Sequence, residues 1–222
     1  MQNNSQTSRI IDHTSPKYIA ARSRLGANRY NGTYYYSKEI VRNIIPLVKT
    51  DRTWITVHSP SEYVNHSIVF VHNNILTKRL YGPLKRFEDV VLVCGVPETV
   101  EKVADYGKAI YLPLSIDIEE VSRYRQPKTR DCCFAGRWSK KGTFRFPPGC
   151  EFLHGMPREQ MLKEMATFRK VYAVGRTALE ARVLGCEIGV YDPRFPDPSI
   201  WQPLDNKEAA KILQHKLDEI DN

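Results

Sequence analysis

Four short apolar runs constrain the fold of this chain most: 53–57, Ser67–Val71, Val90–Cys94 and 109–112. A strand with one wet face alternates apolar and polar residues. These runs barely alternate, so they read as strands buried on both faces, as in a parallel sheet covered by helices. Polar or glycine punctuation closes the first three, at His58-Ser59-Pro60, His72-Asn73-Asn74 and Gly95. Helical patterns alternate with the strands. Residues 33–48 place Tyr36, Ile40, Ile44 and Leu47 three to four apart, a short helix is expected over 76–87, and Pro97 opens another through Asp105. A short first strand is expected at 18–21. Strand–loop–helix repetition predicts an α/β fold whose polar loops follow the strand carboxyl ends, where open α/β sheets bind ligands.

The series starts twice. Residues 122–130 are polar and basic and contain Pro127, which reads as a linker. Beyond it, strands are expected at 132–135, Glu151–Leu153, 171–174 and 187–190, with helices at 157–168 and 177–184. A proline-rich loop covers 193–203, and an amphipathic helix spans 206–220. The predicted organisation is a flexible tail over 1–16, a Rossmann-like half over 17–121, the linker, a shortened Rossmann-like half over 131–203, and a final helix over 204–222.

The chain has 222 residues, enough to bury a core without staples, and no run reaches the ~20 apolar residues of a spanning helix. Its polar start has no apolar core of a secretion signal. Five cysteines without a CxxC pair form neither a disulfide framework nor a zinc site, which fits a reducing, cytoplasmic setting. Net charge is +8. Residues 1–50 hold eight Lys or Arg against two acids, a face that favours an anionic partner.

Three pieces of the second half carry chemistry. Strand 132–135 runs into Gly136, Arg137, Lys140 and Lys141. Glycine admits close backbone approach there, and the cations suit a diphosphate. The strand over 171–174 ends at Gly175-Arg176-Thr177, with Thr177 expected as the cap of a helix whose free N–H groups suit an anion. Glu180 follows one turn in, placed to hold ribose hydroxyls or to compensate the helix dipole. In the third piece, His154 ends a strand before Gly155-Met156-Pro157.

The ordered set AGRWSKKG, FLHGMPREQMLKEM and VYAVGRTALEARVLGCEIGVYD resembles the carboxyl-terminal half of GT-B glycosyltransferases that use nucleotide sugars. The resemblance implies that Arg137 and Lys141 hold the donor diphosphate, that Gly175-Arg176-Thr177 is the phosphate loop, and that Glu180 binds ribose. In the first half, Asn31-Gly32-Thr33 before a helix, His72 after a strand, and the run 89–117 look similar too. Departures are visible. The chain is shorter than the family, a strand–helix pair is missing after Gly142, and Tyr172 stands where the family has its first glutamate.

The expected function is therefore metal-independent sugar transfer from a nucleotide sugar, with no separate cofactor, to an acceptor that is anionic: nucleic acid or a phosphate-bearing glycan. There is no Asp-x-Asp for a metal-dependent donor site. His72 and His58, each at a strand end, are the candidate bases for an inverting transfer. Two other readings stand beside it. One is a non-catalytic nucleotide- or sugar-phosphate-binding protein of the same fold. The other is a nucleic-acid-binding protein that stacks bases on Tyr30 and Tyr34-Tyr35-Tyr36.

Overall fold

The computed structural model describes residues 9–12, 32–57, 59–72, 77–136, 149–189 and 197–222. Its order begins β1 (Ile10–Ile11), α1 (Gly32–Glu39), β2 (Thr53–Ile55), β3 (Ser67–Val71), α2 (Thr77–Tyr81), β4 (Val90–Cys94), α3 (Pro97–Val103) and β5 (Lys108–Tyr111). It continues with α4 (Ile118–Ser122), β6 (Arg130–Ala135), β7 (Glu151–Leu153), α5 (Arg158–Met165), β8 (Phe168–Tyr172), α6 (Arg176–Val183), β9 (Glu187–Gly189) and α7 (Asn206–Asp221). Two compact units result: Met1–Pro113 with Asn206–Asn222, and Leu114–Asp205. Each holds one parallel sheet, of five and four strands, so this is an α/β protein with two Rossmann-like parallel sheets.

In the first unit the strands lie in the order β1-β2-β3-β4-β5. Every residue of β3 and β4 is buried, as their continuous apolar character requires. One face packs Ile55, Val69, Val71, Leu92 and Cys94 against Tyr63, Tyr81, Leu84 and Val103. Their neighbours along the strands point to the other face, where Trp54 stacks on Phe70 at 6.1 Å. Helix α7 belongs to this unit. Its Asn206 donates to Glu39 Oε1 at 2.8 Å, and Gln214 exchanges hydrogen bonds with the Lys49 backbone.

Several local expectations change in the structure. Ile10–Ile11, inside the stretch expected as tail, pairs in parallel with β2. It is the one aliphatic pair in an otherwise polar segment. The helix expected over 33–48 is α-helical only to Glu39, then forms a wide π turn (Ile40–Ile44) and a tight 3-10 turn (Ile45–Leu47). Pro46 has no N–H to continue the ladder and its ring opposes the preceding turn. Leu47 consequently leaves the buried stripe and is 53% exposed. The helix expected to reach Phe168 stops at Met165, because Thr167 bonds back to the Glu164 carbonyl through both N–H and Oγ1. Phe168 instead opens β8 under the Arg130 guanidinium. The strand expected at 18–21 lies outside the described residues.

Residues 122–130, expected as a linker, lie within the second unit, and their polar side chains bond helix ends. Arg125 Nε donates to the Val183 carbonyl at 2.6 Å and Gln126 to the Lys163 carbonyl at 2.7 Å. The Lys128 ammonium reaches the carbonyls of Ala166 and Leu184, both at 2.8 Å, so one cation serves the carboxyl ends of α5 and α6 together.

A charged cluster sits where the strands of the first sheet begin. Arg52, 3% exposed, bonds Asp89 Oδ1 at 2.9 Å and Asp221 Oδ1 at 2.6 Å, tying the starts of β2 and β4 to the end of α7. His66 bridges Asp89 and Asp51 through its two ring nitrogens, at 2.6 and 2.8 Å. Hydrogen bonds to Asp51 and Asp89 raise the His66 pKa above 6.5, while the bond to His66 lowers that of Asp51 below 3.8. The histidine contribution is complete below pH 6.5 and is lost as pH rises through the higher folded value. The Asp51 contribution runs the other way. It is present above pH 3.8 and lost in acid. His66→Asn should therefore abolish a fall in melting temperature that the unsubstituted chain shows above pH 6.5. The fall is about 2 °C or less, since the ring is half exposed and water screens it. Circular dichroism melts at low salt check this, and a flat or rising curve for the unsubstituted chain contradicts it.

Candidate site at the carboxyl edge of the second sheet

Strand order decides where a ligand crevice lies. The first sheet runs consecutively, with no reversal among its described strands. The second runs β7-β6-β8-β9, so the chain leaves β6 to one side for β7 and crosses to the other for β8. Connections that diverge from adjacent strands open a crevice at their carboxyl ends, here between β6 and β8.

The register places the expected pieces on that edge. Ala135 pairs with Leu153, and Phe134 with Tyr172. Gly136 follows Ala135 at this edge, and its N–H donates to the Leu153 carbonyl at 3.2 Å, while His154 follows Leu153 and Ala173-Val174 follow Tyr172. Gly175 comes next and precedes α6. Three segments far apart in sequence therefore meet at the ends of three adjacent strands. His154 is exposed there, ahead of Gly155 at φ 72°. Arg137, Lys140 and Lys141 lie outside the described residues.

Helix α6 is capped differently from expectation. Thr177 is its second residue, and Gly175 is the cap, at φ 64°, ψ −139°, with no side-chain hydrogen bond. The Gly175 carbonyl accepts the N–H groups of Ala178 and Leu179, at 2.9 and 3.2 Å. This left-handed backbone is open to glycine and strained for other residues, which is why a glycine and not the threonine ends the loop. The amino end of α6, where the helix dipole is positive, therefore follows the carboxyl end of β8 directly.

Glu180 is 5% exposed and sits between two guanidinium groups. Its Oε1 accepts Arg158 Nε and Arg176 Nε, each at 3.0 Å. Arg158 also donates to Glu120 Oε1 at 2.7 Å. Burial alone would lower the Arg158 pKa, but the charges of Glu180 and Glu120 outweigh it and raise it well above the ordinary arginine value. The cluster joins α4, α5 and α6. Asp117 holds its near end in place by accepting the Glu120 N–H at 2.7 Å. Sequence reasoning missed Arg158 and Glu120. A signal was present: Arg158 opens a helix, where a cation opposes the dipole unless an acid answers it. Arg176 and Glu180 stand at the four-residue spacing of a helical ion pair.

Tyr172, where the resemblance places a glutamate, is buried, and its ring covers Gly189. A Cβ on that glycine would come within 2.4 Å of the ring.

In the first unit, His72 follows β3. Its backbone N–H donates to the Tyr81 hydroxyl and its Nε2 to the Thr56 carbonyl, both at 3.0 Å. The Tyr36 ring meets His72 edge-on at 5.0 Å and also contacts Phe70, so this tyrosine is engaged in the core. Tyr34 and Tyr35 pair edge to face at 5.3 Å. Gly32 and Thr33 are the first two residues of α1. His58 and Tyr30 lie outside the described residues. Among the described residues, no helix is long and apolar enough to cross a membrane.

Comparison of the chain with protein-family models, with curated proteins and with solved structures finds no match.

Glu180→Ala leaves two half-buried guanidinium groups without their shared carboxylate and should cost about 1–3 kcal/mol in urea unfolding. Adding Arg158→Met in that background should cost much less than Arg158→Met alone, since the two share one cluster. A Glu180→Ala chain as stable as the parent would show that the carboxylate carries no structural load.

Proposed function

We propose that this chain is a metal-independent glycosyltransferase that takes a nucleotide sugar at the carboxyl edge of its second sheet. The reading is carried by the switch in strand order between β6 and β8, whose carboxyl ends lead into Gly136 and Gly175, with His154 after the neighbouring β7 and the α6 amino end behind Gly175. A diphosphate fits this chemistry. Glycine removes the Cβ that would hold phosphate away, and backbone N–H groups with the positive end of the helix dipole stabilise its charge. Arg137, Lys140 and Lys141 supply the remaining positive charge on sequence grounds. In transfer, the bond from sugar to phosphate breaks and the acceptor oxygen bonds the sugar carbon. The preorganised donors stabilise the departing nucleotide diphosphate. An inverting reaction also needs a base for the acceptor proton, and His72, which follows β3, is the candidate for it on sequence grounds. The acceptor is anionic in this reading, a nucleic acid or a phosphate-bearing glycan, in keeping with the charge of residues 1–50.

Glu180 acts here through Arg176 and Arg158, orienting them, rather than as a direct ribose ligand. One observation favours a second reading, a nucleotide- or sugar-phosphate-binding protein without turnover: Tyr172 fills the place of the family's first glutamate and lies against Gly189.

Thermal melts with UDP, GDP, ADP, CMP and their sugar conjugates test the site. At ligand levels 100-fold above Kd, the nucleotides of one base should raise the melting temperature by roughly 5–10 °C. Gly175→Ala should remove most of that shift. No shift with any of them, in a chain that melts cooperatively, overturns the donor site and leaves nucleic acid as the partner to test. Binding without release of nucleotide diphosphate in the presence of acceptors selects the second reading.

A further inference from the structure

Four of the five cysteines lie in the second unit, and they occupy two different environments. Cys133 is fully buried. Cys186 is buried beside the Lys128 ammonium, 3.1 Å from its sulfur, and bonds the Met165 carbonyl. Cys94, in the first unit, is buried within a strand. Cys132 and Cys150 are the two that are only half buried.

These two are neighbours. Cys133 pairs with Glu151 across β6 and β7, so one step back along the ladder Cys132 faces Cys150. Alternation puts Cys132 on the sheet face opposite to Cys133. There Cys132 and Cys150 pack together against Phe134 and Tyr172, and the two thiols are hydrogen-bonded. Adjacent strands stand about 4.8 Å apart, inside the Cα separation of about 4.4–6.8 Å that a disulfide spans.

We propose that Cys132 and Cys150 form a reversible disulfide by exchange with a low-molecular-weight disulfide such as glutathione disulfide. The Cys132 thiol gives its proton to water, and its sulfur attacks one sulfur of the reagent. The reagent's S–S bond breaks and one glutathione leaves. Cys150 then loses its proton and attacks the Cys132 sulfur. The mixed S–S bond breaks and the second glutathione leaves. Two protein thiols are oxidised and one disulfide is reduced to two thiols. Burial first, then the bond to Cys132, pushes the Cys150 thiol up to about 12. Cys150 therefore carries little thiolate at neutral pH, and closure accelerates as pH rises. The new bond would link the two strands that precede Gly136 and His154. The proposal does not depend on the sugar-transfer reading, because its readout is a covalent bond.

The folded chain is incubated with glutathione disulfide, alkylated, cut with trypsin and analysed by mass spectrometry. The expected product is peptide 131–137 joined to peptide 146–158, released by dithiothreitol and formed faster at higher pH. Fragment ions assign the sulfur to Cys132 or Cys133 without any variant. Cys132→Ser should abolish the link and Cys133→Ala should keep it. A link through Cys133 overturns the proposal. So does a folded chain in which Cys132 and Cys150 stay reduced or each carry glutathione singly.

Discussion

Burial of strands on both faces is the constraint on which this structure depends. A strand in the middle of a parallel sheet has water on neither side, so it must be apolar throughout and its backbone must be fully paired. Val90–Cys94 and Ser67–Val71 meet that demand with every residue buried. Parallel pairing then requires a crossover between neighbouring strands, and each crossover delivers its polar turn to the carboxyl edge. The position of the candidate site follows from that geometry before any functional residue is considered.

The two sheets use the same rule and diverge in strand order. Consecutive order in the first unit leaves no point among the described strands where connections part. The reversed order β7-β6-β8-β9 creates one at β6 and β8. That difference separates the unit holding the crevice from the unit whose charged cluster binds a helix end. In the second unit, charge holds the architecture together. Glu180 orients two arginines, and Lys128 joins two helix ends.

Much of the architecture was legible in the sequence. Ser67–Val71, Val90–Cys94 and Glu151–Leu153 have the boundaries their composition implies. Continuous apolar runs carry their own ends, because the punctuating residues sit beside them. The errors have local causes that a pattern does not weigh. Pro46 breaks a helix whose apolar spacing continues through it, and Thr167 ends one whose periodicity reaches Phe168. Ile10–Ile11 is too short to register as a strand, and only pairing with β2 makes it one.

The sequence by itself determined the α/β class, two strand series, and the glycines at Gly136 and Gly175, because these follow from short-range chemistry: periodicity, backbone freedom and the demand of burial. Tertiary structure decided which distant segments meet. It brought Gly136 against the end of β7 through register, enclosed Glu180 between Arg158 and Arg176, and placed Cys132 opposite Cys150. Those are properties of strand order and helix packing, where residues far apart in the chain become neighbours and a carboxylate's partners lie on other elements. No spacing along a single segment encodes them.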